Sequence, residues 1–320
     1  MALSRKISIA PMMACTDRHY RYLARLVSRH VLLYTEMVTP NAILHGDRER
    51  LLGYEEVEHP LAIQLGGSDP ELLAKAAKIA EQWHYAEVNL NVGCPSDRVQ
   101  SGQFGACLMK QPERVAECVV AMRESVAIPV TVKSRIGVDD CDSYDELVRF
   151  VETVWQAGCR SLAVHARKAW LQGLSPRQNR HVPPLKYDVV YRLKQDFPDL
   201  EVVINGGIKS DEAIQQHLQQ VDGVMIGREA YSNLYWLSQF DRQYFNDDHE
   251  ILSRKEVLMQ YMPYVTKQLD KGVPLRIFAK HMLGLFQGVK GAKSWRHFLC
   301  EQSRRPSGWR DIESRISSMV

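Results

Sequence analysis

The sequence predicts an α/β fold: a (β/α)8 TIM barrel followed by a small, all-α helical bundle. Short apolar runs alternate with amphipathic helical patterns through the first 240 residues, and no segment is duplicated. From about residue 251 onward only helical periodicity remains. A doubly wound open sheet is the alternative, although that fold normally uses fewer strands. We therefore expect a barrel domain over residues 1–248 and a helical domain over residues 249–320.

The predicted strands are eight short apolar runs that end in polar residues or glycine. They cover residues 7–12, 31–37, 61–65, 86–91, 128–134, 161–165, 202–205 and 223–227. Between them lie helix-start signals such as Asp69-Pro70-Glu71, in which a capping carboxylate precedes a proline at the first helical position. Residues 111–113 and 210–212 predict helix starts in the same way.

Two connections depart from this alternation. Residues 39–59 are expected to form a loop with at most a short helix, and residues 167–185 form a long polar connection. A loop of that length inside a compact domain is usually functional. Beyond the barrel, helical periodicity covers residues 257–269, 275–286, 292–299 and 312–316.

The composition is ordinary for a globular protein, with 45% hydrophobic and 25% charged residues among 320. The seven cysteines contain no C-x-x-C pair, which argues against a zinc site and a disulfide framework and favours a reducing compartment. No apolar run approaches the roughly 18 residues of a membrane span. We expect a cytoplasmic monomer without a metal site, a membrane contact or a protein partner.

Charge is spread unevenly along the chain. Residues 251–320 contain 13 Lys or Arg against 5 Asp or Glu, a net charge of +8, whereas residues 1–250 have a net charge of −5. A basic terminal domain suggests a polyanionic partner. A solvated helical surface that happens to be rich in lysine explains the charge equally well.

The stretch 86–109 carries the clearest chemical signal. A predicted buried strand breaks at Gly93, is followed by Cys94 and Pro95, and continues into a glycine-containing loop. Free cysteines are often buried structural residues. A thiol at the tip of a strand, on a loop able to move, instead presents a reactive group to a substrate. The neighbouring Asn91, Gly93 and Pro95 favour the reactive interpretation.

Other polar residues end the neighbouring strands, where this fold places its chemistry. Gln64, Asn91, Lys133 and His165 are predicted on one rim of the barrel. Residues 205–207 follow strand seven and residues 227–228 follow strand eight, the position at which such barrels bind phosphate. Tight turns would explain the glycines there, but not the arginine at position 228.

Lys133 has two possible roles. It could meet the negative charge of a reduced flavin, with Gln64 at the edge of the ring. It could also form a Schiff base as in barrel aldolases, since nearby Arg135 would lower its pKa. Aldolase chemistry, however, would leave Cys94 and Gln64 without roles.

The chain resembles the tRNA-dihydrouridine synthase family through seven motifs in the expected order. They are A-P-M-M at 10–13, I-Q-L-G at 63–66, L-N-V-G-C-P at 90–95, V-K-S-R at 132–135, V-H-A-R at 164–167, N-G-G-I at 205–208 and G-R at 227–228. L-N-x-G-C-P is highly specific. Residues 165–180 are similar to subfamily A, which acts on D-loop uridines at positions 20 and 20a.

This resemblance implies an FMN enzyme that reduces the C5=C6 bond of uridine in tRNA and uses NADPH as reductant. Cys94 would be the catalytic proton donor, and Asn91 would lie beside the target base. The implied FMN-binding residues are Pro11, Met12, Met13, Gln64, Lys133, His165, Asn205, Gly206, Gly207, Gly227 and Arg228. The implied tRNA-binding residues are Asn91, Arg177, Arg180, Lys293 and Arg296.

A thiol suits the acid role, because an ordinary thiol with a pKa of about 8.5 still carries its proton near neutral pH. The target base must leave the tRNA stack, at a cost of a few kcal/mol. Two alternatives stay open. One is a flavin reductase of the same fold that acts on a free pyrimidine or enone, and the other is an RNA-binding module on an inactive barrel.

Overall fold

A computed structural model describes residues 3–305 and 308–319, and its central feature is one parallel sheet of eight strands. The strands are β1 (Ile7–Ile9), β2 (Leu33–Val38), β3 (Leu61–Leu65), β4 (Glu87–Val92), β5 (Val130–Arg135), β6 (Ser161–His165), β7 (Glu201–Asn205) and β8 (Gly223–Ile226). Each overlaps a predicted run. The (β/α)8 prediction is therefore confirmed, and the doubly wound sheet is excluded.

The sheet curls into a nearly closed barrel. The strand order is β1-β8-β7-β6-β5-β4-β3-β2, so the first strand pairs with the last. The remaining seam is bridged by backbone bonds: the Ile9 N–H donates to the Leu32 carbonyl at 2.9 Å, and the Leu32 N–H donates to the Ile7 carbonyl at 3.1 Å. All eight strands are therefore parallel, and their carboxyl ends lie at one rim.

Helices fill the connections between the strands. They are α1 (Arg18–Val27), α2 (Pro40–His45), α3 (Arg48–Leu52), α4 (Pro70–Gln82), α5 (Asp97–Ser101), α6 (Pro112–Ser125), α7 (Tyr144–Gln156), α8 (Tyr187–Asp196) and α9 (Asp211–Leu218). The predicted starts of α4, α6 and α9 are confirmed. The Asp69 carboxylate accepts from the Leu72 N–H at 3.0 Å, which is the expected cap of α4.

The segment 39–59 contains more helix than expected. It forms α2 and α3 and a short 3₁₀ turn over Glu56–Glu58. Pro40 stands at the first helical position of α2, and the Asp47 carboxylate caps α3 by accepting from the Arg50 N–H at 3.1 Å. These local signals were sufficient for two helices that the weak apolar periodicity did not indicate.

The chain after β8 is helical, as predicted. It contains α10 (Arg228–Ser232), α11 (Phe240–Phe245), α12 (Arg254–Asp270), α13 (Leu275–Met282), α14 (Ala292–Gln302) and α15 (Gly308–Ser317). The sequence did not predict α10 and α11, which are short. In the described part of the chain, no helix combines the length and the apolar character needed to cross a membrane.

The chain divides into two compact units, and neither is continuous in sequence. One unit comprises the residues up to 12, residues 32–54 and residues 60–227, and it holds the sheet. The other comprises residues 13–31, residues 55–59 and the chain from 228 onward. The boundaries of these units differ from those of the predicted domains, 1–248 and 249–320. The division of the chain into those two domains stays a prediction.

Contacts of α1 explain why the second unit reaches back to the start of the chain. The Tyr261 hydroxyl of α12 donates to the His19 carbonyl at 2.9 Å. The Asp17 carboxylate, which caps α1, lies 2.9 Å from both His281 Nε2 and Lys280 Nζ. α1 therefore shares a core with the C-terminal helices.

The inside of the barrel contains both apolar and polar side chains. Its apolar part is a buried cluster of Ala10, Leu32, Tyr34, Ala62, Ala163, Val203 and Met225. β4 instead contributes Glu87, Asn89 and Asn91 at every second position, and all three are buried. Each of these polar groups therefore needs a partner inside the barrel.

Candidate active site at the carboxyl ends of the strands

Strand pairing brings the predicted polar residues together. Asn91 pairs in register with Lys133, and His165 pairs with Asn205. Their side chains also meet: Asn91 Nδ2 donates to Gln64 Oε1 at 2.8 Å, and Lys133 Nζ donates to Asn205 Oδ1 at 3.2 Å. Strand register thus places the predicted residues at one rim, where their side chains form two hydrogen-bonded pairs.

Asn91 shapes the turn that carries Cys94. Its Oδ1 accepts from the backbone N–H of Gly93 at 3.1 Å and from that of Cys94 at 3.0 Å. The thiol is partly exposed, and its Sγ lies 3.5 Å from Ser96 Oγ. Cys94 is thus not a buried structural thiol, in contrast to Cys118.

The loop after Cys94 folds back onto it. The Ala106 N–H donates to the Cys94 carbonyl at 2.9 Å. Gly105 has φ of +77°, and a Cβ there would lie 2.5 Å from the same carbonyl. A side chain at position 105 would therefore force the loop away from the turn.

Arg135 ties the Cys94 turn to the long connection after β6. Its Nε donates to the Gly93 carbonyl at 2.9 Å, and its guanidinium also donates to the carbonyls of Lys168 and Asn179, each at 3.1 Å. Gln100 makes a second link, since its Nε2 donates to the carbonyls of Pro95 and Leu171. The loop predicted to be functional is thus bonded to the turn of Cys94.

The amino group of Lys133 is in surroundings that disfavour its charged form. Burial, assisted by the neighbouring Arg135, lowers the pKa of Lys133 to about 7. Among the described residues, no carboxylate acts to raise it; the one opposing influence is Cys94. An anionic ligand beside Lys133 would favour its charged form, so the site is suited to an anionic group.

The turn after β7 is tightly packed. Asn205 Nδ2 donates to the Met225 carbonyl at 2.7 Å, which fixes the end of β7 against β8. Gly206 has φ of +122°, and a Cβ there would lie 2.7 Å from the His165 ring. The glycine therefore allows the backbone to approach His165 closely.

The remaining predicted residues lie at the positions their motifs suggest. Pro11, Met12 and Met13 follow β1, with Met13 59% exposed, and Gly227 and Arg228 follow β8. Arg177 and Arg180 are exposed in the connection after β6. Lys293 and Arg296 are exposed on α14, which belongs to the second compact unit.

Asn89 and Thr131, which support the site from inside the barrel, were not predicted from the sequence. Asn89 and Thr131 contact each other, and Asn89 accepts from Gln64. A signal was present, because polar residues at alternate positions of a buried strand point to one side of it. The two asparagines of L-N-V and V-N-L were visible, but their partners on other strands were not.

Comparison with known proteins places the chain in a family. The family described as Dihydrouridine synthase (Dus) matches residues 8–316. Proteins of Synechocystis sp. and Shewanella oneidensis, both named tRNA-dihydrouridine(20/20a) synthase, are each 57% identical to the chain. The first alignment covers 93% of this chain and 89% of the relative, and the second covers 95% and 90%.

A solved structure supports the fold alone. The complex of 2-naphthoyl-CoA reductase with 2-naphthoyl-CoA superposes with a TM-score of 0.54 at 9% identity, over 74% of this chain and 50% of that one. The family match spans nearly the whole chain and includes the Cys94 turn and the rim of the barrel. The chain belongs to the dihydrouridine synthase family.

Proposed function

We propose that this protein reduces the C5=C6 bond of D-loop uridines in tRNA, at positions 20 and 20a, to give dihydrouridine. The observation that carries the proposal is 57% identity to proteins named tRNA-dihydrouridine(20/20a) synthase, over more than nine-tenths of the chain. The partly exposed Cys94 beside Asn91 supplies the chemistry. We propose that the protein is cytoplasmic, because its tRNA substrate is available there, and that it is a monomer.

The rim has the groups that FMN requires. Lys133 offers an amino group without a neighbouring carboxylate, and Gln64 offers an amide edge to the flavin ring, while Asn91 lies beside the target base. Gly206, Gly207 and Gly227 with Arg228 would hold the phosphate, and Pro11, Met12 and Met13 would back the ring. His165 and Asn205 complete the set. These residues would hold FMN, which when bound and reduced by NADPH would supply a hydride for C6 of the uracil.

The protein's own residues then complete the reduction. Cys94 holds the proton that C5 must gain, and the Asn91 carbonyl oxygen holds the Cys94 turn in place through two backbone bonds. Arg135 anchors the same turn to the connection that carries Arg177 and Arg180. We propose that these exposed arginines grip the tRNA backbone, so that a bound tRNA and the proton donor share one loop assembly.

The proposed function is tested by assaying the purified protein on two substrates. We expect a yellow protein that releases FMN on denaturation and forms dihydrouridine in unmodified tRNA but not in free uracil. Equal activity on free uracil would favour the free-pyrimidine reductase. A colourless protein that binds tRNA and does not take up FMN would favour the RNA-binding module.

Replacing Lys293 and Arg296 with alanine is expected to weaken tRNA binding and to flatten its salt dependence. Both residues are exposed on α14 and lie three positions apart, so they share a face. Each lost phosphate contact lowers the slope of log affinity against log salt by about 1. The measurement is a tRNA-binding titration at several salt concentrations.

The matched control is Lys271→Ala with Arg276→Ala, which removes the same charge from exposed positions of the same unit. The control should change the slope less. Equal changes in both double variants would mean that the C-terminal charge acts as a general field, and that Lys293 and Arg296 are not specific contacts. Flavin reduction by NADPH should stay the same in both.

A further inference from the structure

A continuous series of hydrogen bonds crosses the inside of the barrel, from Glu87 to the backbone of Cys94. Asn91 Nδ2 donates to Gln64 Oε1 at 2.8 Å, and Gln64 Nε2 donates to Asn89 Oδ1 at 2.8 Å. Asn89 Nδ2 donates to Thr131 Oγ1 at 2.9 Å, and the Thr131 hydroxyl donates to Glu87 Oε1 at 2.6 Å. We call this series the Glu87–Cys94 relay. All five side chains are buried.

At the Cys94 end of the relay, the backbone fixes which amide atoms donate and which accept. The N–H groups of Gly93 and Cys94 can only donate, so the atom of Asn91 that faces them must be the carbonyl oxygen. The Asn91 amide nitrogen must then face Gln64, whose oxygen accepts from it. Gln64 therefore has to present its nitrogen to Asn89.

At the Glu87 end of the relay, the negative charge of the carboxylate fixes the donors and acceptors. The Glu87 carboxylate is held by Arg5 Nε at 2.6 Å and can only accept. The Thr131 hydroxyl must therefore donate to Glu87, which leaves its lone pairs to accept from Asn89. Both ends thus impose the same orientation on the three amides between them, those of Asn91, Gln64 and Asn89.

We propose that Glu87, Thr131 and Asn89 are positioning residues, which fix the amide orientation of Gln64 and the turn of Cys94 through this relay. Reversing any one amide would place a donor against a donor in a buried site, where an unmet hydrogen bond is costly. The inference rests on the proposed function, because Gln64 and Asn91 are the groups offered to the flavin and to the target base.

The relay also limits what Gln64 and Asn91 can offer. Each of the two Gln64 amide atoms already has one partner inside the protein, so one N–H and one lone pair remain for a ligand. Asn91 has used its oxygen on two backbone groups, so its remaining N–H is the group available to a uracil carbonyl. The relay thus makes Asn91 a donor toward the base.

The test compares Thr131→Val, which removes the hydroxyl at nearly constant volume, with Thr131→Ser, which keeps it. Tyr34→Phe is the matched control, because the Tyr34 hydroxyl donates to the same Glu87 Oε1 at 2.7 Å but lies outside the relay. Thr131→Val and Tyr34→Phe each remove one buried hydroxyl from one carboxylate oxygen. Thermal unfolding of all three variants measures the general loss of stability.

Two readouts report positioning. For the holoenzyme, we expect kcat for dihydrouridine formation to fall roughly 10- to 100-fold in Thr131→Val, because a misplaced reacting group costs about that much. KM for tRNA should change little, and Thr131→Ser should recover most of the rate. FMN affinity, measured by quenching of FMN fluorescence, should fall in Thr131→Val and stay the same in Tyr34→Phe.

The second readout does not need turnover. Iodoacetamide labels free thiols, and peptide mass spectrometry separates Cys94 from the exposed Cys300, which is the internal reference. Loosening the relay should raise the labelling rate of Cys94 severalfold relative to Cys300 in Thr131→Val, since the Asn91 bond to its backbone N–H weakens. Tyr34→Phe should label like the wild type.

The outcomes separate this inference from the proposed function. If the wild type neither binds FMN nor modifies tRNA, the proposed function fails, whereas Cys94 labelling still tests the relay. If the wild type is active and Thr131→Val matches Tyr34→Phe in rate, FMN affinity and Cys94 labelling, the relay is only a structural network and the inference is wrong. Thr131→Ser behaving like Thr131→Val would also overturn it.

Discussion

Replacing Cys94 with alanine is expected to stop dihydrouridine formation while NADPH still reduces the flavin. The thiol donates the proton that C5 needs and takes no part in the transfer from NADPH, so the two half-reactions should separate. Loss of a positioned acid typically lowers a rate by about 10²- to 10⁴-fold. Stopped-flow bleaching of the flavin measures the first half-reaction, and dihydrouridine content of tRNA measures the second.

Cys107→Ala provides the control for this experiment. Cys107 is a partly exposed thiol on the same loop, and its Sγ donates to the Phe104 carbonyl. The same loss of one sulfur should leave both half-reactions near their wild-type rates. Dihydrouridine formed at the wild-type rate by Cys94→Ala would assign the proton to another group.

Replacing Lys133 with methionine is expected to stabilise the FMN-free protein while weakening its hold on FMN. Burial, followed by Arg135, lowers the pKa of Lys133 from 10.5 to about 7, so the ammonium is unfavourable inside the barrel. An apolar side chain of similar length removes that cost, so Lys133→Met should raise the free energy of unfolding of the FMN-free protein at pH 7. FMN affinity should fall roughly 10- to 100-fold, because a charge-assisted hydrogen bond is lost.

The pH dependence of stability provides an independent check. Between pH 7 and pH 10.5 the unfolded chain keeps a proton on Lys133 that the folded chain has released. The unfolded state thus binds more protons in this window, so the contribution of Lys133 to the free energy of unfolding rises with pH there. Lys133→Met should remove that rise. Urea unfolding of the FMN-free protein at several pH values measures it.

Lys110→Met is the contrasting control for Lys133→Met. Lys110 is 39% exposed and lies 2.7 Å from Asp139, and its hydrogen bond to that carboxylate raises its pKa. Its replacement should leave stability nearly unchanged or slightly lower, as for other surface ion pairs. A Lys133→Met protein that is less stable than the wild type at pH 7 would contradict the interpretation of Lys133 as a buried amino group in surroundings that disfavour its charged form.

The barrel could be predicted from the sequence because its strands are short apolar runs, and such runs indicate strands that are buried on both faces. The sequence was also sufficient for the rim, since parallel strands bring their carboxyl ends to one edge. It was not sufficient for α1, which joins the C-terminal helices through contacts such as that of Tyr261 with His19. That contact joins residues 242 positions apart, and no local sequence pattern indicates it.

The orientation of the Gln64 amide is beyond sequence patterns for a related reason. It depends on two fixed ends: the carboxylate of Glu87, which lies on β4, and the backbone N–H of Cys94, which lies in the turn after β4. The link between them passes through β3 and β5. A polar residue in a buried strand indicates that a partner exists, but only the assembled barrel shows which one.

The discontinuity of both compact units has a consequence for synthesis on the ribosome. β1 pairs with β8, so Ile7 waits for Val224 to emerge before its strand has a lasting neighbour on that side. At about 5–20 residues per second, this delay is roughly 10–45 s. α1 waits longer still for most of its unit, because apart from residues 55–59 the rest of that unit begins after residue 227. The nascent chain therefore carries a first strand with one unpaired edge and an incompletely covered first helix through most of translation, and such exposed surface is prone to aggregation and open to chaperone binding.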